Sequence, residues 1–402
     1  MQHSASEPSI LASRAARVTL VMSCLFSVTG VTLTFLPRWL EVERGLSGLE
    51  IGLVLSLSQL ARVFTGPTIG FLADGVRDRR MPIRICVAAS LLAYVAFFFA
   101  AQSFAALLIT GFLALSLMQA VVPLVEAATL RATAQGRFSY GIARGIGSVA
   151  FIVANIAGGV LVARFGVGAV VVWVLCGLAM TAATAMWSLK PEPGADAPAP
   201  SAAARRGAVA ALLRSRRFVI VILACGLIQS GHAFYYSFST IVWRGQGVPA
   251  ETVGLLWACG VAVEVAFLWS LTWIERRFSP EALILAGAAG GVLRWACMGF
   301  APLGAVLWPL QAMHALSFAA AHVGAMRLIY REAPDAAAAM AQTLYSALSG
   351  GLLLGACTLL SGALYDAAGA QGYWAMALIV GAGGGLALLL LPPRRHTPET
   401  SA

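Results

Sequence analysis

The sequence predicts an all-α membrane protein of twelve transmembrane helices, arranged as two pseudo-symmetric six-helix bundles. Three observations predict it. The chain is 59% hydrophobic and 11% charged, with a mean hydropathy of +0.83, whereas a soluble domain carries about 25% charged residues. Apolar runs of about 20 residues, the length that spans a bilayer, recur from one end to the other. The second half also repeats features of the first at matching positions, as membrane folds built from internal repeats do.

Residues 1–17 form a polar tail without a signal-peptide pattern, and the first apolar run is long enough to remain as a span. Spans follow near 18–37, 51–73, 83–101, 105–129, 141–164 and 168–189, which make the first bundle, 18–189. Residues 190–216 form a linker. Its 191–208 stretch, PEPGADAPAPSAAARRGA, reads as a disordered or loosely helical tether. The second bundle, 217–391, holds spans near 217–240, 252–273, 281–300, 303–328, 339–364 and 373–391, and 392–402 close the chain as a second tail.

The net charge of +10 invites a nucleic-acid partner, but its distribution argues against one. With the N-terminus inside, the Lys and Arg residues of the loops gather on the cytoplasmic side. Only Arg38, Arg44, Arg164 and Arg244 fall on the other. This asymmetry is the positive-inside pattern, and it places both termini in the cytoplasm. The seven cysteines all lie in apolar runs with no CxxC pair, so they read as packing residues, with neither disulfide nor metal site. No cofactor is expected.

The repeat is clearest at two places. Glu50-Ile51-Gly52-Leu53 opens the run that carries Arg62, and Glu251-Thr252-Val253-Gly254-Leu255 opens the run that carries Glu264. Setting Gly52 against Gly254 puts Arg62 opposite Glu264. Gly158-Gly159-Val160-Leu161 likewise matches Ser361-Gly362-Ala363-Leu364. Opposite charges at equivalent depths of two repeats point to a binding site on the seam.

Arg62, Glu126, Glu264, Arg294, His232, His314 and His322 all fall within spans or at their edges. A charged form costs about 2.5–3.5 kcal/mol or more at the bilayer centre, so these groups should face a cavity or one another. A buried ion pair that locks packing is the plain alternative for any one of them. Glu126 near the end of span four and Arg144 near the start of span five reach similar depth if the spans are antiparallel, which makes an ion pair between them a geometric expectation. Phe234, Tyr235, Tyr236 and Phe238 cluster in span seven, and Tyr140, Phe151 and Trp257 add stacking surface. Packing explains most such aromatics.

Between spans two and three, Gly70-Phe71-Leu72-Ala73-Asp74-Gly75-Val76-Arg77-Asp78-Arg79-Arg80 resembles the loop motif of the major facilitator superfamily, G-x-L-A-D-x-x-G-R-R. Gly70, Asp74, Arg79 and Arg80 match it; the glycine after Val76 is missing. A basic loop shaped by topology alone is the competing reading. Segments 226–244 (GLIQSGHAFYYSFSTIVWR), 291–295 (GVLRW), 311–331 (QAMHALSFAAAHVGAMRLIYR) and 342–348 (QTLYSAL) resemble the phenylpropionate permease family within that superfamily. Pro123-Leu124-Val125-Glu126-Ala127 and Arg144-Gly145-Ile146-Gly147-Ser148 fit as well, with Glu126 where that family often has aspartate. More distantly, Glu126, Arg144, Glu264, Arg294 and His314 fall where the lactose permease group has sugar-binding and proton-coupling residues. Ser317 and Phe151 replace that group's proton-carrying carboxylate and sugar-stacking tryptophan.

These resemblances imply the major facilitator fold and a secondary transporter, not an enzyme, in a bacterial inner membrane. It would work as a monomer surrounded by lipid, with protons and a small molecule as its partners. The expected cargo is a small aromatic or other organic monocarboxylate, imported with protons. Glu126, Glu264, His314, His322 and Arg294 are the proton-coupling candidates. Arg62, Arg144, His232, Tyr235, Tyr236 and Phe151 are the substrate-binding candidates, because arginine recognises a carboxylate with two parallel hydrogen bonds. A sugar or nucleoside symporter and a drug exporter are the alternatives of the same class. A membrane enzyme or sensor would need a catalytic cluster, and no HExxH, GxSxG or Walker loop occurs.

Overall fold

Serine caps and glycine turns set where the helices begin and end. The computed structural model describes residues 13–74, 76, 78–100, 103–134, 139–191, 202–333 and 337–391. Helix α1 (Arg14–Arg44) starts at Ser13, whose hydroxyl accepts from the Ala16 amide, and stops at Gly45, which has φ 63°. That left-handed backbone suits glycine, which has no Cβ to clash. Helix α2 (Gly48–Asp74) follows, and α3 (Arg80–Val95) runs into a π turn (Ala96–Ala100). Ser103 and Ser139 cap α4 (Phe104–Thr133) and α5 (Tyr140–Phe165) as Ser13 caps α1. Helix α6 (Ala169–Ser188) completes the first half.

Part of the linker is described. Its alanine-rich end forms α7 (Ala202–Arg214), as a run of strong helix formers should; 192–201 lie outside the described residues. The seventh span is broken at Gly231-His232 into α8 (Arg216–Ser230) and α9 (Ala233–Gly245). Next come α10 (Ala250–Trp269), the short α11 (Leu271–Arg277) and α12 (Pro280–Met298). The tenth span is α13 (Leu307–Ala312), a π turn (Ala315–Ala320) and α14 (Ala321–Glu332). The last stretch contains α15 (Ala338–Ser346), a π turn (Ala347–Leu353), α16 (Leu354–Ala368) and α17 (Gly372–Leu388).

Eleven helical stretches among the described residues are long and apolar enough to cross a membrane. The last, Met340–Leu388, has 49 residues, about 74 Å at 1.5 Å per residue and over twice the ~30 Å hydrocarbon core. It turns at Gly369, which has φ 55°, so it makes two passages and the described residues hold twelve.

The repeat glycines are where the halves cross. Helix α2 packs on α16, and α10 packs on α5. A methyl placed on Gly52 would lie 3.1 Å from Gly362 Cα, and one on Gly254 would lie 3.3 Å from Gly159 Cα. Both contacts are tighter than ordinary side-chain packing allows, so each seam needs glycine on both faces. Among the described residues, only the first seam carries a charged clasp. The Asp366 carboxylate accepts from the amides of Gly48 at 2.7 Å and Leu49 at 2.8 Å, at the start of α2. The matching position on α5, four residues after Gly159, is Ala163.

The loop motif lies at the other end of α2. Arg80 Nε binds Asp78 at 2.5 Å, while Arg80 Nη1 reaches the Leu189 carbonyl at 3.5 Å. Arg79 lines a small basic pocket with Arg14, Arg17 and Lys190. Gly75 and Arg77, with the side-chain surroundings of Gly70 and Asp74, lie outside the described residues.

Candidate functional site

A cavity of about 280 Å³ opens between the two halves. Helices α1, α4 and α5 supply one wall, including Phe26, Glu126, Arg144 and Phe151. Helices α9 and α10 and the tenth span supply the other, including Tyr235, Tyr236, Trp257, Glu264 and His314. Each intramembrane charge on these walls has a partner, as the cost of an unpaired charge in lipid demands.

On the first wall, Arg144 Nε lies 3.5 Å from Glu126 Oε1, with the two side chains 39% and 33% exposed. Helices α4 and α5 bring them together at the depth their sequence positions imply. A pair this exposed is worth about 0–1 kcal/mol, so an incoming anion can displace the carboxylate at little cost.

On the second wall the charges are locked into a chain. Arg294 is fully buried. Its Nη1 lies 3.2 Å from His314 Nδ1 and 3.1 Å from Ser317 Oγ, and its Nη2 lies 2.9 Å from Gln311 Oε1. A guanidinium can only donate, so His314 Nδ1 must accept. The ring proton then sits on Nε2, which faces Glu264 Oε2 at 3.3 Å. Neutral His314 thus bridges a buried cation to a carboxylate on the cavity wall. The same logic runs onward. His232 Nδ1 faces the Gln229 carbonyl at 3.1 Å and donates to it, so His232 Nε2 accepts from the Ser317 hydroxyl at 3.2 Å.

Local sequence builds this chain. The break at Gly231 brings Trp295 in close, since a methyl there would lie 3.2 Å from Trp295 Nε1. His232 is edge-on to Trp295 at 5.1 Å and stacked on Tyr236 at 5.6 Å. Within the π turn at Ala315–Ala320, the Phe318 carbonyl also accepts from Gln229 Nε2 at 3.2 Å, and π bulges are frequent at functional sites. Tyr235 stacks on Trp257 at 4.6 Å, and Arg294 lies 4.7 Å over the Tyr235 ring.

Of the residues singled out from sequence, Glu126, Arg144, Phe151, Tyr235, Tyr236, Glu264 and His314 line the cavity. Arg294 and His232 stand behind its wall. His322 lies beyond it, stacked on Phe318 at 6.0 Å. Arg62 and Glu264 do not meet. Glu264 pairs with His314, while a methyl on Gly350 would lie 3.2 Å from Arg62 Nη1. Sequence reasoning missed Gln311 and Phe26. It read Ser317 only as the residue that replaces a carboxylate, and the structure also shows Ser317 joining Arg294 to His232. For Ser148 a signal existed: it lies four residues after Arg144, on the same helix face.

The model of the MFS_1 like family matches residues 17–376. A probable 3-phenylpropionic acid transporter of Escherichia coli (strain K12) is 29% identical over 355 residues, covering 87% of this chain and 91% of the relative. A maltose permease of Geobacillus stearothermophilus is 27% identical, with 93% of each chain covered. Among solved structures, the nucleoside transporter NupG superposes with a TM-score of 0.78 at 18% identity, covering 94% of this chain and 98% of that one.

Proposed function

The chain belongs to the MFS_1 like family and is a multi-pass membrane transporter of a small molecule, and from that premise we propose that it imports a small aromatic or other organic monocarboxylate together with protons, by alternating access. The observation that carries this reading is the pairing of the two cavity walls: a loosely held Arg144–Glu126 pair faces a Glu264–His314–Arg294 chain across an aromatic-lined space. Residues 18–189 and 217–391 are the bundles that move against each other about the glycine seams. The arginine asymmetry puts both termini in the cytoplasm of a bacterial inner membrane. A lipid-embedded monomer suffices, because the cavity is built within one chain.

The coupling follows from competition for Arg144. An anionic substrate and the Glu126 carboxylate want the same guanidinium. A proton on Glu126 removes the competitor, so proton and anion load together. Glu264 is the second proton candidate, since His314 already presents its N–H to it. Arg294 holds that histidine in place, and His232 is tied into the same chain. His322, exposed beyond Phe318, would pass the proton to water. Arg62 serves as a second anion contact along α2. Tyr235, Tyr236 and Phe151 offer ring faces to an aromatic cargo.

Uptake into proteoliposomes tests this directly. An imposed inward proton gradient should drive accumulation of an aromatic carboxylate; if it drives none, the coupling is wrong. Glu126→Gln should abolish uphill uptake while leaving exchange or binding partly intact. Wild-type accumulation in that variant would remove Glu126 from the proton path. The likeness to a maltose permease and a nucleoside transporter supports a second reading, a sugar or nucleoside symporter. Competition of bound aromatic acid by sugars or nucleosides separates the two.

A further inference from the structure

We propose that Phe26 and Ser148 are positioning residues that hold the Arg144 guanidinium in the orientation that recognises a carboxylate; this rests on the reading of Arg144 as the anion contact. A guanidinium recognises a carboxylate through two parallel N–H bonds, which requires its plane to be fixed. Arg144 lies on a helix face with 39% of its side chain exposed to the cavity. An arginine there would sample many rotamers, and each would present a different edge.

Two contacts remove that freedom. The Arg144 Cζ sits 4.6 Å from the centroid of the Phe26 ring, within the range of a cation–π contact. Arg144 Nη1 donates to Ser148 Oγ at 3.0 Å. The ring holds the guanidinium from one side without using any of its N–H groups. The serine pins one end, Nε faces Glu126, which the ligand anion would displace, and the remaining N–H groups are open to a ligand. Phe26 is itself nearly buried, 7% exposed, so it is a fixed platform.

The backbone explains how the platform reaches Arg144. Phe26 is on α1 and Arg144 is on α5, and these helices pack together over much of their length. A methyl on Gly147 would lie 2.9 Å from Phe26 Cδ2, so the ring occupies space that any larger residue would fill. The run Arg144-Gly145-Ile146-Gly147-Ser148 therefore places the cation, the gap for its platform and its hydrogen-bond anchor within about one helical turn. Phe26 also lines the cavity, so a direct contact with cargo must be told apart from positioning.

The test is binding of 3-phenylpropionate and of its primary amide to purified full-length protein, in wild type and in Phe26→Leu, Phe26→Tyr and Ser148→Ala. The amide keeps the ring and chain and loses the charge. Wild type should prefer the carboxylate. Phe26→Leu and Ser148→Ala should each cut that preference by about three- to tenfold with amide affinity held, which also shows that the variants are folded. Phe26→Tyr, which keeps the ring, should retain the preference. If the Leu and Ala variants keep the preference, or weaken both ligands equally, the positioning role is overturned while the anion site stands. A wild type without preference for the carboxylate overturns the anion site itself, and this inference with it.

Discussion

Replacing Asp366 with asparagine should loosen one end of the seam between the halves by an amount that can be worked out. Four amides at the start of α2 need acceptors. Two are served locally: Glu50 Oε2 accepts from Ser47 N at 2.9 Å, and Ser47 Oγ accepts from Glu50 N at 3.3 Å, a reciprocal capping box. The other two, on Gly48 and Leu49, are served across the seam by Asp366. Asparagine keeps one acceptor oxygen but sets an NH₂ against the second amide, and it removes the negative charge from a helix N-terminus. A hydrogen bond to a charged acceptor is worth about 1.5–3 kcal/mol, and the low end applies because Leu49 is 44% exposed. The dipole adds about 0.3–1 kcal/mol. The sum, near 2 kcal/mol, favours separation of α2 from α16 by roughly thirtyfold at 1.4 kcal/mol per tenfold. The penalty falls on the closed seam alone, because water serves the same amides once the helices part. Spin labels at the exposed positions Glu43 and Gln371, in a cysteine-free background, report the separation. The long-distance population should rise accordingly. A population unchanged within about threefold would refute the clasp and show that water already does its work.

His314→Gln should keep proton-driven uptake at a reduced rate, because glutamine can accept from Arg294 and donate to Glu264 as the neutral histidine does; His314→Ala should lose it. Equal loss in both would make His314 itself a proton carrier. Gly159→Val puts a methyl 2.6 Å from the Ala250 carbonyl, so it should destabilise the α5–α10 crossing by about 1–3 kcal/mol, read as a lower thermal midpoint in detergent. Glu281→Gln should cost about 2 kcal/mol in the same assay. Glu281 accepts from Arg331 at 2.5 Å and from Arg217 at 3.3 Å, and the variant leaves two cations facing Glu332 alone.

The fold was legible because lipid imposes simple rules. Span length, the arginine asymmetry and the repeat glycines each follow from the bilayer's thickness, its charge bias and the need for close helix crossings. The charged wall residues were legible for a related reason: Glu126, Arg144, Glu264 and His314 are too costly in lipid to point anywhere but inward. What the sequence left open is equally physical. A repeat aligns depth but not azimuth. Arg62 and Glu264 share a depth, yet α2 runs against α16 while α10 runs against α5. Arg62 therefore finds Gly350, while Glu264 turns to His314 of the tenth span. The π turns were invisible because an extra residue per turn is a register of backbone hydrogen bonds, with no composition of its own. Ser317 was therefore read only as the residue that replaces a carboxylate. Its worth lies in standing between Arg294 and His232, a place the π turn gives it.

The two cavity carboxylates are held so differently that one carrier can ask different things of them. Glu126 faces an arginine that is itself partly exposed and anchored by Ser148, so the loss of either partner leaves little stranded. Glu264 is bonded through a neutral histidine to a guanidinium with no access to water. Neutralising Glu264 therefore strands a buried cation, which in low dielectric is far costlier than breaking an exposed pair. On the proposed reading, a proton on Glu126 changes which anion Arg144 holds, and a proton on Glu264 changes which arrangement of the second wall is tolerable. Binding selectivity then resides mainly on the α1–α4–α5 wall, and the drive for the halves to move resides on the α10–α12 wall.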